Sequence, residues 1–254
     1  MKKLNTFAKI KSAVTNEIQD YKVLMRNVPG TLLALFCISV VLMNLLANKE
    51  ALSVKWLALD CGVVVSWMSF LTMDMLAKRF GPKSAFKVSL FASAMNLFIC
   101  GIFYLISLIP GNWGAYYTFE NDIINQGLNS TIGGTWYVIV GSTIAFITSS
   151  IVNSIVNAAA KKIDHTNTFR SYAIRSYTST LVAQFVDNLV FALIVSHVFF
   201  GWSLIQCITC SLTGCIVELL CEVVFSPLGY KVCKKWEKEK VGQQYLEYAE
   251  EVHS

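Results

Sequence analysis

Charge is what this sequence has least of. Only 15% of its 254 residues are Asp, Glu, Lys or Arg, against about 25% in an ordinary soluble domain, so it lacks the ionic surface that a soluble protein of this size needs. Proline is equally scarce: four residues leave no proline-rich linker. Neither sign of charge forms a long single-sign tail. These shortages exclude a disordered chain, a coiled coil, a disulfide-rich secreted domain and an ordinary soluble enzyme. What is abundant is apolar: 55% hydrophobic residues, with a mean hydropathy of +0.54.

The apolar residues gather into six runs, at about 31–48, 55–77, 86–109, 135–158, 177–200 and 203–226. Crossing the hydrocarbon core takes about 20 helical residues, and a lone segment in lipid must satisfy its own backbone hydrogen bonds. The alternation of a β-barrel is absent, because the runs are apolar all round. The expected class is therefore all-α, an integral membrane protein with six transmembrane helices. The bases fix its orientation. Six lie in the N-terminal stretch, four between runs 2 and 3, four between runs 4 and 5 and five in the C-terminal tail, which makes 19 of 21. Only Lys49 and Lys55 fall on the other side. The positive-inside rule then puts both termini in the cytoplasm.

The expected organisation is an amphipathic cytoplasmic segment over 1–30, a six-helix domain over 31–230 and a cytoplasmic tail over 231–254. Leu4, Phe7, Ile10, Val14 and Ile18 recur at helical spacing among lysines, as in a helix lying on the inner leaflet. The net charge of +5 is explained by attraction to anionic lipid. Because the bases are spread over four segments, a nucleic-acid partner is not expected. Seven of the eight cysteines lie inside the runs, where they act as small hydrophobes between helices. Cys207 and Cys210 form a C-x-x-C pair, but no second ligand pair accompanies it, so no metal site is expected.

Function is sought where ionisable groups enter the runs. Five of the 16 acids do so: Asp60, Asp74, Asp187, Glu218 and Glu222. Each costs about 2.5–3.5 kcal/mol at the bilayer centre on insertion scales. Along the fifth run Ser179 or Thr180, Gln184, Asp187 or Asn188, and Phe191 share a face at steps of three and four. Asp187 lies about 18 Å along the axis from Arg175, near mid-membrane. A carboxylate with an amide one turn away and an aromatic one turn beyond suits a flat polar ligand. Trp67, Phe70 and Asp74 form a similar stripe on the second run, with the rings as a stacking face. Asp74 can instead pair with Lys78 or Arg79. Glu218 and Glu222 lie four residues apart on the sixth run, so one holds a proton or both face nearby bases.

These stripes resemble a known family. The run from Trp67 to Gly81, with Phe70, Thr72 and Asp74, is similar to a signature of the VUT, or queuosine-precursor transporter, family. Arg175, Ser179, Thr180, Gln184, Asp187 and Phe191 resemble its fifth-helix signature, and Pro227 with Tyr230 resembles the end of its last helix. The likeness runs from about residue 31 to 235. It implies an importer of deazaguanine bases such as preQ0 and preQ1 across the bacterial inner membrane. A more distant similarity to the substrate-binding S components of energy-coupling-factor vitamin transporters implies, as the alternative, partner coupling subunits and ATPases. The chain departs from the family where it has Ser150 and Asn153 in place of Gln and Asp, and Glu218 where a Lys is often found.

The expected function is import of a small heteroaromatic metabolite without catalysis, cofactor or metal. The expected ligand contacts are Asp187, Gln184, Asp74, Trp67, Phe70, Asn188, Phe191 and Glu218. No Walker A loop is present, so any use of ATP must come from a partner. The histidines are His165, His197 and His253, none near Asp187 in sequence, and the runs hold no D-x-x-D cluster. An intramembrane enzyme is therefore the weaker reading.

Overall fold

The computed structural model describes residues 2–113, 122–133, 136–163 and 168–253. Helix α1 (Lys2–Asn27) meets α2 (Gly30–Leu46) at a bend of 103°. Pro29 sits at the break, and the residue before a proline is disfavoured in helical geometry. A hairpin, β1 (Glu50–Val54) and β2 (Leu57–Asp60), leads into α3 (Val63–Phe80) and α4 (Pro82–Ser107). Then come α5 (Asp122–Ile132), α6 (Trp136–Ile163) and α7 (Phe169–Phe191). Helix α7 passes through a π-helical turn (Ala192–Ser196) into the short α8 (His197–Phe199), and the chain ends in α9 (Leu204–Lys238) and α10 (Gln243–His253).

The architecture is helical, as expected, and the protein is a multi-pass membrane protein. Among the described residues four segments are long and apolar enough to cross a bilayer: Pro82–Ser107, Ile123–Ala160, Phe169–Phe199 and Leu204–Lys238. Counting the bent α1–α2 pair as one span makes five. These four coincide with the last four apolar runs. The first run becomes α2, with 17 residues, and the second becomes α3, with 18 residues that include Asp74, Lys78 and Arg79.

The second run differs from expectation at its start. Residues expected to open a helix at about 55 form the hairpin instead, with Val54 opposite Leu57 and Glu50 opposite Asp60. Lys55 and Trp56 supply its two-residue turn, and the backbone groups of this short polar-flanked stretch pair across the strands. The hairpin is fastened to α9: Gln206 Nε2 donates to the Val54 carbonyl at 3.0 Å and Thr209 Oγ1 to the Trp56 carbonyl at 2.6 Å. Trp202 Nε1 adds a bond to Glu50 at 2.6 Å.

Helix α9 also runs further than the sixth apolar run. Its 35 residues extend about 52 Å at 1.5 Å per residue, beyond a hydrocarbon core of about 30 Å. Pro227 lies inside it. A proline removes the hydrogen bond to the carbonyl four residues back, here that of Val223, and Ser226 Oγ donates to that oxygen at 3.4 Å. The helix therefore continues through Lys231, Lys234 and Lys235 to Lys238.

Helices α3, α6, α7 and α9 pack on one another, with α2 and α4 alongside. Their outer faces expose Ile205, Leu220 and Val224, as lipid-facing helices do. At the lysine-rich end α1 and α10 pack together. Lys87 Nζ binds Glu17 at 2.6 Å and Asp20 at 2.5 Å, and Arg79 Nε donates to the Val241 carbonyl at 2.9 Å. Tyr245 Oη lies 2.8 Å from Ser84 Oγ, and burial pushes the Tyr245 hydroxyl above its usual pKa.

Candidate functional site

Polar side chains that the sequence scatters over five helices and the hairpin converge on the bundle interior in two layers. The layer beneath the hairpin surrounds a cavity of about 50 Å³. Helix α7 contributes Asp187, Asn188 and Phe191, α9 contributes Gly214 and Glu218, α3 contributes Ser66, and the hairpin contributes Asp60. Asn44 of α2 and Ser142 of α6 complete its polar wall. Ser149 Oγ donates to Asp187 Oδ1 at 2.7 Å. Glu218 accepts from Ser66 Oγ and, at 3.1 Å, from Asn188 Nδ2. The Gly62 amide donates to Asp60 Oδ1 at 2.7 Å.

Three carboxyl groups thus line one cavity, and no Lys, Arg or His is among its walls. Such a wall favours a cation or an edge rich in N–H donors. At about 50 Å³ the space is small beside the roughly 300–1,000 Å³ of ordinary ligand pockets. The space is closed down, and a ligand of ordinary size requires the hairpin or the helices to give way.

The second layer lies toward the lysine-rich end. Asp74 accepts from Ser176 Oγ at 2.6 Å, Thr180 Oγ1 at 3.0 Å and Asn157 Nδ2 at 3.2 Å. Ser176 is also hydrogen-bonded to Glu222. Between the layers sits Gln184. It is fully buried, and neither amide atom finds a partner.

The expected contact residues are therefore divided. Asp187, Asn188, Phe191 and Glu218 meet around one cavity, with Gln184 just below it on α7. Asp74 belongs to the second layer. Trp67 faces elsewhere: its ring stacks on Phe225 at 4.4 Å between centroids, on the wall of an apolar groove of about 470 Å³ between α2, α3 and α9. Phe70 is fully buried but is not on the wall of the Asp187 cavity. Asp60 is an acid within a run in the sequence, and the hairpin brings it to the wall that holds Asp187. Its position at the mouth of that run was the available signal. Asn44, Ser66 and Ser142 carried no signal beyond being polar in apolar runs. Cys207 and Cys210 are buried free thiols, and among the described residues no group of metal-ligating side chains occurs.

Gly214 sets the spacing of α9 against α7. A Cβ there would lie 2.8 Å from Asn188 Nδ2. Gly214→Ala should push Asn188 off Glu218 and cost about 1–3 kcal/mol, as overpacked sites do. The drop in thermal stability of the purified protein measures it, and an unchanged melting temperature would contradict this packing.

No curated protein and no solved structure matches the chain. A family model described as "Putative vitamin uptake transporter" matches residues 60–232. That segment opens on Asp60 and closes just after Tyr230, so it contains all five carboxyl groups of the apolar runs and, Asn44 apart, both polar layers of the bundle. Helical architecture, apolar spans and a sequence match over most of its length agree: the chain belongs to the vitamin uptake transporter family.

Proposed function

We propose that this transporter imports a donor-rich heteroaromatic metabolite across a bacterial inner membrane, most specifically the queuosine precursors preQ0 and preQ1. The observation that carries the reading is the cavity with Asp60, Asp187 and Glu218 on its wall and no base. A deazaguanine presents two adjacent N–H donors along one edge, which a carboxylate such as Asp187 accepts as a pair. The aminomethyl cation of preQ1 finds a second carboxylate in Glu218, and Phe191 offers a ring against the flat bicycle. Gln184 supplies an amide as the cavity opens. In this reading α2 and α3 cross the membrane with the four longer segments, giving six spans. Both termini then lie in the cytoplasm, consistent with 19 of 21 bases at that end.

Uptake of preQ0 or preQ1 by queuosine-deficient cells expressing the protein tests the proposal. Rescue of queuosine synthesis is expected from the native protein and is lost in Asp187→Asn. Failure of both precursors to bind or rescue, with folded protein in the membrane, would refute the substrate. Stable copurification with a transmembrane coupling subunit and ATPases, with no uptake in their absence, would instead identify an S component.

A further inference from the structure

The second polar layer has a hydrogen-bond stoichiometry that the substrate cavity does not explain. Asp74 is 1% exposed and Glu222 0%, and both carboxyl groups meet on Ser176 Oγ. A serine hydroxyl has one proton to give. It can donate to one carboxylate, so the other reaches Ser176 by donating a proton of its own. Asp74 also accepts from Thr180 and Asn157. Glu222 shares Ser176 and Thr180 with Asp74 and is hydrogen-bonded to Asp74 itself, a contact two carboxyl groups can make only through a proton, and its Oε2 has no partner. Asp74 is thus the ionised member, and Glu222 carries the proton.

An independent feature adjoins the pair. Asp74, Lys78, Asn157, Tyr172 and Ser176 line a chamber of about 10 Å³, room for roughly one water molecule. Tyr172 is 2% exposed and its hydroxyl has no hydrogen-bond partner, so an unsatisfied donor lies at this chamber. The groups facing the pair can be named by element. Helix α3 presents Lys78, whose Nζ lies over the Tyr172 ring at 5.5 Å and 3.9 Å from Glu237. Among the described side chains α6 presents Asn153 and Asn157, α7 presents Tyr172, and α9 presents Cys233 and Glu237 besides Glu222. Lys78 is engaged at the outer wall by Tyr172 and Glu237.

We propose that Asp74 and Glu222, bridged by Ser176, form a proton-binding site separate from the substrate cavity, loaded and emptied through the Tyr172 chamber. Only an O–H bond is made or broken: the proton passes between water and a carboxylate oxygen. The site communicates with the cavity through two helices. Glu222 lies four residues from Glu218 on α9, and Thr180 and Asp187 flank the unpartnered Gln184 on α7. Each four-residue step is about 6 Å. Resting on the import reading above, proton loading is then the energy source for uptake.

Infrared difference spectra of the protein in liposomes, stepped between neutral and alkaline pH, test the site without any substrate. A carbonyl band of a protonated carboxylic acid is expected in the native protein. It should disappear in Glu222→Gln, shift in Ser176→Ala, which loses its bridging bond, and survive in Asp187→Asn. A spectrum of Glu222→Gln identical to the native one would overturn the site. A second arm measures preQ1 uptake into proteoliposomes under an inward proton gradient. Stimulation of at least about tenfold, abolished by a protonophore and by Glu222→Gln, is expected; measurable uptake indifferent to the gradient overturns the coupling. If preQ1 is not a substrate, uptake is absent in every variant while the infrared result still decides the proton site.

Discussion

Exchanging Glu218 for lysine should leave a folded protein that no longer takes up preQ1. Glu218 is 1% exposed and held by Ser66 and Asn188, with Asp187 and Asp60 on the same cavity wall. A lysine there would place its ammonium against those two carboxylates and neutralise the charge that attracts a cation. Removing one partner of a buried charge pair costs about 2–5 kcal/mol, so uptake should fall roughly 30-fold to several thousand-fold. Folding survives because the introduced charge is paired, which limits the burial cost of an ion. The neutral preQ0 should lose less than preQ1, since it has no ammonium to be repelled. Uptake of both precursors, beside the melting temperature, separates the effects. Equal preQ1 uptake by Glu218→Lys and native protein would remove this cavity from the transport path.

Much of that cavity was legible in the sequence because it rests on one helix. Asp187, Asn188 and Phe191 lie within a turn or so of one another on α7, and helical spacing alone places them together. The α3 stripe was less informative. Trp67, Phe70 and Asp74 share a broad face, but Asp74 lies about 10 Å beyond Trp67 along the axis. Helix α3 packs against both α7 and α9, so the face is divided between neighbours. Asp74 meets Ser176 of α7 while Trp67 stacks on Phe225 of α9. Spacing within one helix cannot reveal which neighbour receives each residue.

The hairpin and the carboxyl pair were hidden for related reasons. A run that is apolar all round, such as 55–77, contains no period to distinguish strand from helix. The register that brings Asp60 onto the cavity wall depends on anchors at Trp202, Gln206 and Thr209, about 150 residues away, and so does not show in local pattern. Asp74 and Glu222 are likewise joined by Ser176 from a third helix. By contrast, the two-sided count of lysines and arginines assigns the basic segments to one side without any knowledge of packing, and α1 and α10, from two of those segments, pack together.

Gln184 supplies the sharpest separation of stability from function. Its side chain is fully buried with both amide atoms unpartnered, and an unsatisfied buried polar group costs about 1–3 kcal/mol. Gln184→Leu keeps most of the volume and removes the unsatisfied atoms, so the ligand-free protein should melt higher. In a protein of this size about 1 kcal/mol corresponds to roughly 2–4 °C, giving a rise of several degrees. Uptake should move in the opposite direction and fall at least about tenfold, because the amide is available to the ligand only while nothing in the resting protein satisfies it. A group whose sole role is to hold α7 against its neighbours would show the reverse, with stability and uptake falling together. Gln184→Glu distinguishes the remaining possibility. It retains an acceptor but adds a sixth carboxyl group to the five of the two layers, and repulsion from Asp187 and Glu218 should lower the melting temperature below that of the native protein. Thermal unfolding of the three proteins, with and without preQ1, reads all of these effects: ligand should stabilise the native chain and leave Gln184→Leu nearly unmoved. A leucine variant that melts lower and still responds to preQ1 would assign the amide to packing alone.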